Sequence, residues 1–166
     1  MSENRLHRLA DELTIELDRF RNLKAEIVDA QSRIGGREPD VFELRAIGSI
    51  LHDLYNGAET ICLRVAKEID RRVPVGAAWH RDLLVQMAEP FPKVRPSLLS
   101  SETQASLETY RRFRHLVRHT YGSNLDWGEL KPLFESAAHT IEMFAQDVEQ
   151  FANFLRVVAS DQDSES

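Results

Sequence analysis

An all-α fold, an antiparallel bundle of about five helices, is what this sequence predicts, and three observations predict it. Apolar residues recur at spacings of three and four over long stretches, the pattern of helices that bury one stripe. Glycine and proline are few, seven and six in 166 residues, while Ala, Leu, Glu and Arg, all good helix formers, are frequent. Neither strand-like alternation nor an internal repeat interrupts the pattern. The length suits one domain with its own core. That domain is expected over residues 1–159, with 160–166 an acidic, serine-rich tail of disordered composition.

The elements follow in order. From about Asn4 to Ile34, Leu6, Leu9, Leu13, Leu17, Phe20, Leu23, Ile27, Ala30 and Ile34 form one stripe, and Gly35-Gly36 ends the helix. Glu38-Pro39-Asp40 restarts it, with proline expected in the first turn. Val41, Leu44, Ile47, Leu51, Leu54, Tyr55, Ala58, Ile61, Cys62, Val65 and Ile69 then continue to about Arg72. Gly48 and Gly57 weaken that helix locally and allow close helix contact. Pro74 and Gly76 break it. A shorter helix, about Ala78 to Ala88, presents Trp79, Leu83, Leu84 and Met87, and a proline-studded loop from Pro90 to Pro96 follows. Ser101 with Gln104 reads as a capping box opening the fourth helix, and Gly122 suits its end. The last runs from about Trp127 to Val158 on Leu133, Phe134, Ala137, Ile141, Phe144, Val148, Phe151 and Leu155. Asp126 suits its N-cap, and Pro132 is tolerable in its first turn.

Composition excludes several classes of function. The single cysteine, Cys62, rules out an intramolecular disulfide and a cysteine-rich metal cluster, and its apolar surroundings read as packing. No apolar run approaches the roughly 20 residues of a membrane span, and the polar start lacks a secretion signal, so a cytoplasmic protein without membrane partners is expected. A net charge of −6 argues against general coating of nucleic acid. Its distribution says more. From Thr109 to Tyr121 stand Arg111, Arg112, Arg114 and Arg118 and two histidines, with no acid between them.

Within that segment Arg114, His119 and Tyr121 have the spacing R-x4-H-x-Y. A guanidinium holds phosphate, an imidazole moves protons near neutral pH, and a phenol hydrogen-bonds or accepts a modification. These are parts of a metal-free phosphodiester-cleaving site. Arg114 and Tyr121 share a helix face, whereas Arg114 and His119 lie about 140° apart. Either the helix loosens near Gly122 or a second copy completes the site across a two-fold axis, and a homodimer is the expectation. The plain alternative makes Arg114 a surface ion-pair residue and His119 a helix C-terminal cap. His115 and His119 stand at i, i+4, but no H-E-x-x-H pattern or nearby acid accompanies them, so no metal or other cofactor is expected. Trp79 reads as a packing or interface anchor, and His7, His52, His80 and His139 as surface or cap residues. Periodicity leaves open whether Glu59 faces the cleft.

The run Arg114-His115-Leu116-Val117-Arg118-His119-Thr120-Tyr121 resembles the signature of the HepT toxins, helical ribonucleases of the HEPN superfamily. Tyr55-Asn56-Gly57-Ala58-Glu59 and Trp79-His80-Arg81-Asp82-Leu83-Leu84 fit the same context, and the resemblance covers about Val41 to Leu133. It implies a metal-independent endoribonuclease, the toxin of a type VII-like pair, in which the RNA 2′-hydroxyl attacks its own phosphate. Arg114 and His119 would be catalytic, with His115 and Arg118 supporting. Tyr121 would be the site at which a minimal nucleotidyltransferase antitoxin adds AMP. The alternative function is a non-catalytic helical subunit that binds nucleotide or RNA within a nucleotidyltransferase complex.

Overall fold

The computed structural model describes the backbone of residues 3–119 and 125–164, and the side chains of 4–114 and 125–161. Five α-helices account for nearly all of it: α1 (Glu3–Ile34), α2 (Val41–Val65), α3 (Trp79–Ala88), α4 (Ser101–His119) and α5 (Trp127–Ser164). Among the described residues there is no strand, only a single antiparallel bridge between Phe91 and Arg95 in the proline-studded loop. No described helix is long and apolar enough to cross a membrane.

Contacts between the helices give their directions. Along α1, Asp11, Arg21, Lys24 and Gln31 meet Arg156, Glu149, Glu142 and the Phe134 carbonyl of α5 in turn, so the two longest helices run antiparallel. Arg5 reaches Glu68 just beyond α2, and Glu12 and Glu16 both bind Arg64, which makes α1 and α2 antiparallel. Ser106 with Thr140 and Tyr110 with the Leu133 carbonyl do the same for α4 and α5. The core between them is the expected stripe: Leu13, Leu17 and Ile27 of α1, Leu54 and Ile61 of α2, and Ile141, Phe144 and Val148 of α5 are all fully buried. Val41 departs from its stripe and stands half exposed beside Phe42, because α2 begins outside the bundle.

Gly57 sits where α1 and α2 cross. A Cβ there would lie 2.8 Å from Cδ2 of Phe20, whose ring is itself buried and packed edge-on against Phe144 at 4.9 Å. The small residue therefore sets the helix separation, as the sequence suggests.

The helix ends refine the sequence reading. Gly35, at φ 57°, ends α1 as expected, its N–H donating to the Gln31 carbonyl at 3.0 Å. Pro39 precedes α2 instead of entering its first turn, because Asp40 is the N-cap. Asp40 Oδ1 accepts from the amides of Phe42 and Glu43, and the Glu43 carboxylate accepts from the Asp40 amide, a full capping box. The cap of α4 is Ser100, one residue before the expected Ser101: its Oγ accepts from the Thr103 amide at 3.1 Å. Asp126 caps α5 as expected, accepting from the Gly128 amide at 2.7 Å. Pro132 falls in the second turn of α5, where its missing N–H leaves the carbonyl of exposed Gly128 without the usual donor. Helix α5 continues to Ser164, past the Val158 at which the helix was expected to end. After Val65 the chain widens into one π-helical turn, Ala66–Asp70, closed by Arg71 in the left-handed region at φ 51°.

Two oxygens of Glu43 face Arg37 at 2.6 and 2.7 Å. That guanidinium, and then the Asp40 amide, hold the carboxyl down at about 2. The folded value is the depressed one, so the capping contribution is complete above the ordinary carboxylate range, about 4.3, and is lost as pH falls toward 2. A side-chain carbon NMR titration should place the Glu43 midpoint near 2, with the shift of the Asp40 amide, which donates to that carboxylate, following it. Replacement of Arg37 by Ala should move that midpoint upward.

Candidate active site

Three helices converge at one end of the bundle, and a buried ion pair sets their positions. Asp70, at the end of the π-helical turn, and Arg95, in the loop after α3, are each 1 % exposed at the side chain. Arg95 grips both carboxylate oxygens, Nε to Oδ1 at 2.6 Å and Nη2 to Oδ2 at 2.7 Å. Its remaining N–H groups donate to the carbonyls of Gln86, Glu89 and Pro96, each at 3.0 Å. Every donor of the guanidinium is thus used, the condition under which a buried charge is tolerated. Gln86 of α3 adds a bond to Asp70 Oδ2 at 2.7 Å. One arginine thereby ties the end of α2 to α3 and to the chain that enters α4.

On α4, Tyr110 is buried and donates its hydroxyl hydrogen to the Leu133 carbonyl of α5 at 2.8 Å. Burial raises its phenol pKa above the ordinary value. One turn later comes Arg114, whose side chain is only 15 % exposed. Its guanidinium carbon lies 5.7 Å from the centre of the fully buried Tyr55 ring, within cation–π range. Nη1 lies 3.8 Å from Glu59 Oε1. The same nitrogen is 3.1 Å from Nδ1 and 3.2 Å from Nε2 of His80. The Arg114 Nε is buried and has no hydrogen-bond partner among the described residues, so its N–H is free to donate to an incoming acceptor.

His80, on the first turn of α3, completes the cluster. Its Nδ1 stands 2.5 Å from Glu59 Oε2, and the Trp79 ring stacks on it at 3.6 Å between centroids. His80 is therefore not the surface or cap residue that the sequence suggested: it is tied to α2 through Glu59 and to α4 through Arg114. Glu59, left open by periodicity, is 9 % exposed and faces both. Trp79 is half-buried and serves as packing, against His80. Burial, and after it the Glu59 charge, push the Tyr55 phenol above its ordinary pKa, so it stays neutral. Burial does the same to the Cys62 thiol, in keeping with its reading as a small packing residue. His7 and His52 are half-buried and His139 is exposed.

The acid-free arginine segment changes meaning in three dimensions. Glu108, the residue directly before it, binds Arg111 at 2.6 and 2.7 Å and Arg112 at 3.3 Å. Arg111 holds the Glu108 carboxyl below its ordinary pKa. Arg114 instead is directed into the cluster. The backbone of α4 extends through His119, but the side chains of His115, Arg118 and His119, together with Tyr121 and Gly122, lie outside the described residues.

A family model described as HepT-like protein matches residues 46–155. The chain belongs to the HepT-like protein family. The HepT-like segment starts inside α2 and ends inside α5, further along the chain than Leu133, to which the motif and its context extended. It takes in Glu59, His80 and Arg114 and leaves out α1. Nothing matches among curated proteins or solved structures.

Chemically, this HepT-like cluster presents a buried guanidinium with an unused donor beside an imidazole whose orientation a carboxylate and an indole fix. Such a pair recognises an anionic oxygen and exchanges a proton with it. The spacing of Glu59 and His80, 21 residues apart, gave no sequence signal; only the contexts around Tyr55 and Trp79 pointed near them. Asp70→Ala should leave the Arg95 charge buried and unpaired, a loss of about 3–5 kcal/mol in denaturant unfolding. Arg114 should become more exposed to solvent exchange in the same variant, since α3 loses its tether.

Proposed function

We propose that this chain is the toxin of a type VII-like HepT pair: a homodimeric, metal-independent endoribonuclease of the cytoplasm. The observation that supports this reading most is Arg114, buried beside His80 and Glu59 with its Nε unpartnered, on the helix that bears R-x4-H-x-Y in a HepT-like chain. Arg114 takes the scissile phosphate and stabilises the charge that develops on it through charge-assisted bonds. His119 accepts the 2′-hydroxyl proton as that oxygen attacks phosphorus. His115 and Arg118 support the pair. The products are a 2′,3′-cyclic phosphate and a free 5′-hydroxyl. A minimal nucleotidyltransferase neutralises the toxin by transferring AMP to Tyr121, which places an anion beside the arginines and occupies the site they offer to RNA.

Protein produced without its antitoxin should cleave total RNA in the presence of EDTA and leave cyclic phosphate ends. His119→Ala should lower that rate at least about 100-fold, as removal of a general base does, with unchanged helical circular dichroism. Undiminished cleavage by this variant would sink the mechanism, and loss of RNA binding in Arg114→Ala beside an inactive parent would favour a binding subunit instead.

For Tyr121→Phe the expected outcome is a toxin that gains no AMP in intact-mass spectra after incubation with the nucleotidyltransferase and ATP. Cells producing both proteins should then remain growth-arrested, whereas the parent pair grows.

A further inference from the structure

Cleavage by 2′-oxygen attack needs two proton transfers on opposite sides of phosphorus: one off the 2′-hydroxyl and one onto the departing 5′-oxygen. The spacing R-x4-H-x-Y specifies one histidine, His119; His115, at the position after Arg114, has the supporting role proposed above. We propose that His80, oriented by Glu59, is the second proton-transfer residue and protonates the departing 5′-oxygen. This rests on the ribonuclease reading above.

The geometry selects the nitrogen. With Nδ1 2.5 Å from Glu59 Oε2, the Nδ1 hydrogen is donated to that carboxylate, so Nε2 is the atom left to exchange a proton with substrate. Trp79, stacked at 3.6 Å, holds the ring plane. Arg114 Nη1 is equally close to both ring nitrogens, 3.1 and 3.2 Å. A phosphate oxygen taken by Arg114 is thereby brought within reach of Nε2. His80 retains 23 % side-chain exposure while Glu59 retains 9 %, so the ring meets substrate and the carboxylate stays behind it. Glu59 is a positioning residue; His80 is the one that touches the reacting atoms.

The 2′-oxygen gives its proton to His119 and forms a bond to phosphorus. The bond from phosphorus to the 5′-oxygen breaks, and that oxygen takes the Nε2 proton of His80. His80 ends neutral and His119 protonated, and exchange with water restores both.

The test uses the full chain and an oligoribonucleotide containing a cleavage site mapped on natural RNA, in two forms. One has the ordinary 5′-oxygen and the other has sulfur in its place, a leaving group that departs as thiolate without needing a proton. His80→Gln should lose about 100-fold on the oxygen substrate and cleave the sulfur substrate close to the parent rate, whereas His119→Ala should be impaired on both. Glu59→Gln, which still accepts the Nδ1 hydrogen but lacks the charge, should show a smaller loss that sulfur also rescues. Full activity of His80→Gln on the oxygen substrate would overturn the assignment while leaving the ribonuclease reading intact. Equal impairment on both substrates would show His80 to be structural and overturn it too. Cleavage of neither substrate by the parent protein would remove the ribonuclease reading, and this assignment with it.

Discussion

The ion pair between Asp70 and Arg95 is the constraint on which the geometry of the cluster depends. Two charges taken out of water are costly unless every polar atom finds a partner. Here the two carboxylate oxygens and three backbone carbonyls satisfy the guanidinium completely. Those carbonyls come from α3's last turn and from the loop, so the arrangement has one solution and fixes where α3 lies against α2. Without it the short helix α3, ten residues long, would rest on Leu83, Leu84 and Met87 and on the polar contacts of His80 and Gln86. Hydrophobic contacts fill volume without specifying direction. The polar lock supplies the direction, and His80 inherits it.

Glu59 answers a similar question at the cluster itself. A guanidinium as buried as that of Arg114 needs negative charge nearby, and Glu59 is the carboxylate within 4 Å. At 3.8 Å the contact is longer than the 2.5 Å that Glu59 makes with His80. Arg114 is therefore compensated without being consumed, in contrast to Arg95, whose donors are all taken, and to Arg111, chelated by Glu108. Three arginines of one small protein thus show three uses of the same group. Of these three, Arg114 keeps a buried donor, Nε, without an acceptor among the described residues; the Arg64 Nε is also without one, but that guanidinium is held by both Glu12 and Glu16, which leaves Arg114 as the anion-binding residue.

The sequence made the helices legible because their information is local. Stripes at spacings of three and four, Gly35 and Asp126 place the described elements closely, and the errors concern caps, such as Ser100 in place of Ser101, and the end of α5. The cap was misplaced because two adjacent serines offer the same hydroxyl, and only the chain's path decides which faces the Thr103 amide. Arg114 was legible through its motif. Glu59, His80, Asp70 and Arg95 were not, because each acquires meaning from a partner 21 to 34 residues away, and periodicity carries no information about which turns of two helices meet. A histidine opening a short helix has the local appearance of a cap whether or not a carboxylate from another helix is waiting for it.

Helix α2 shows how packing on one side governs chemistry on the other. Gly57 faces Phe20 of α1, while Tyr55 and Glu59, four apart and so on one face, look toward Arg114 and His80. By helical periodicity, Gly57 stands about 200° from each of them. The depth to which α1 seats against Gly57 therefore sets the rotation and height of the opposite face. Because Phe20 is itself wedged against Phe144 of α5, a larger residue at 57 cannot be absorbed by the ring and must displace α2, carrying Glu59 with it. Although α1 lies outside the family-matched residues, it is in this way coupled to the carboxylate that orients His80: the distance across one glycine determines whether an imidazole two helices away keeps its hydrogen bond.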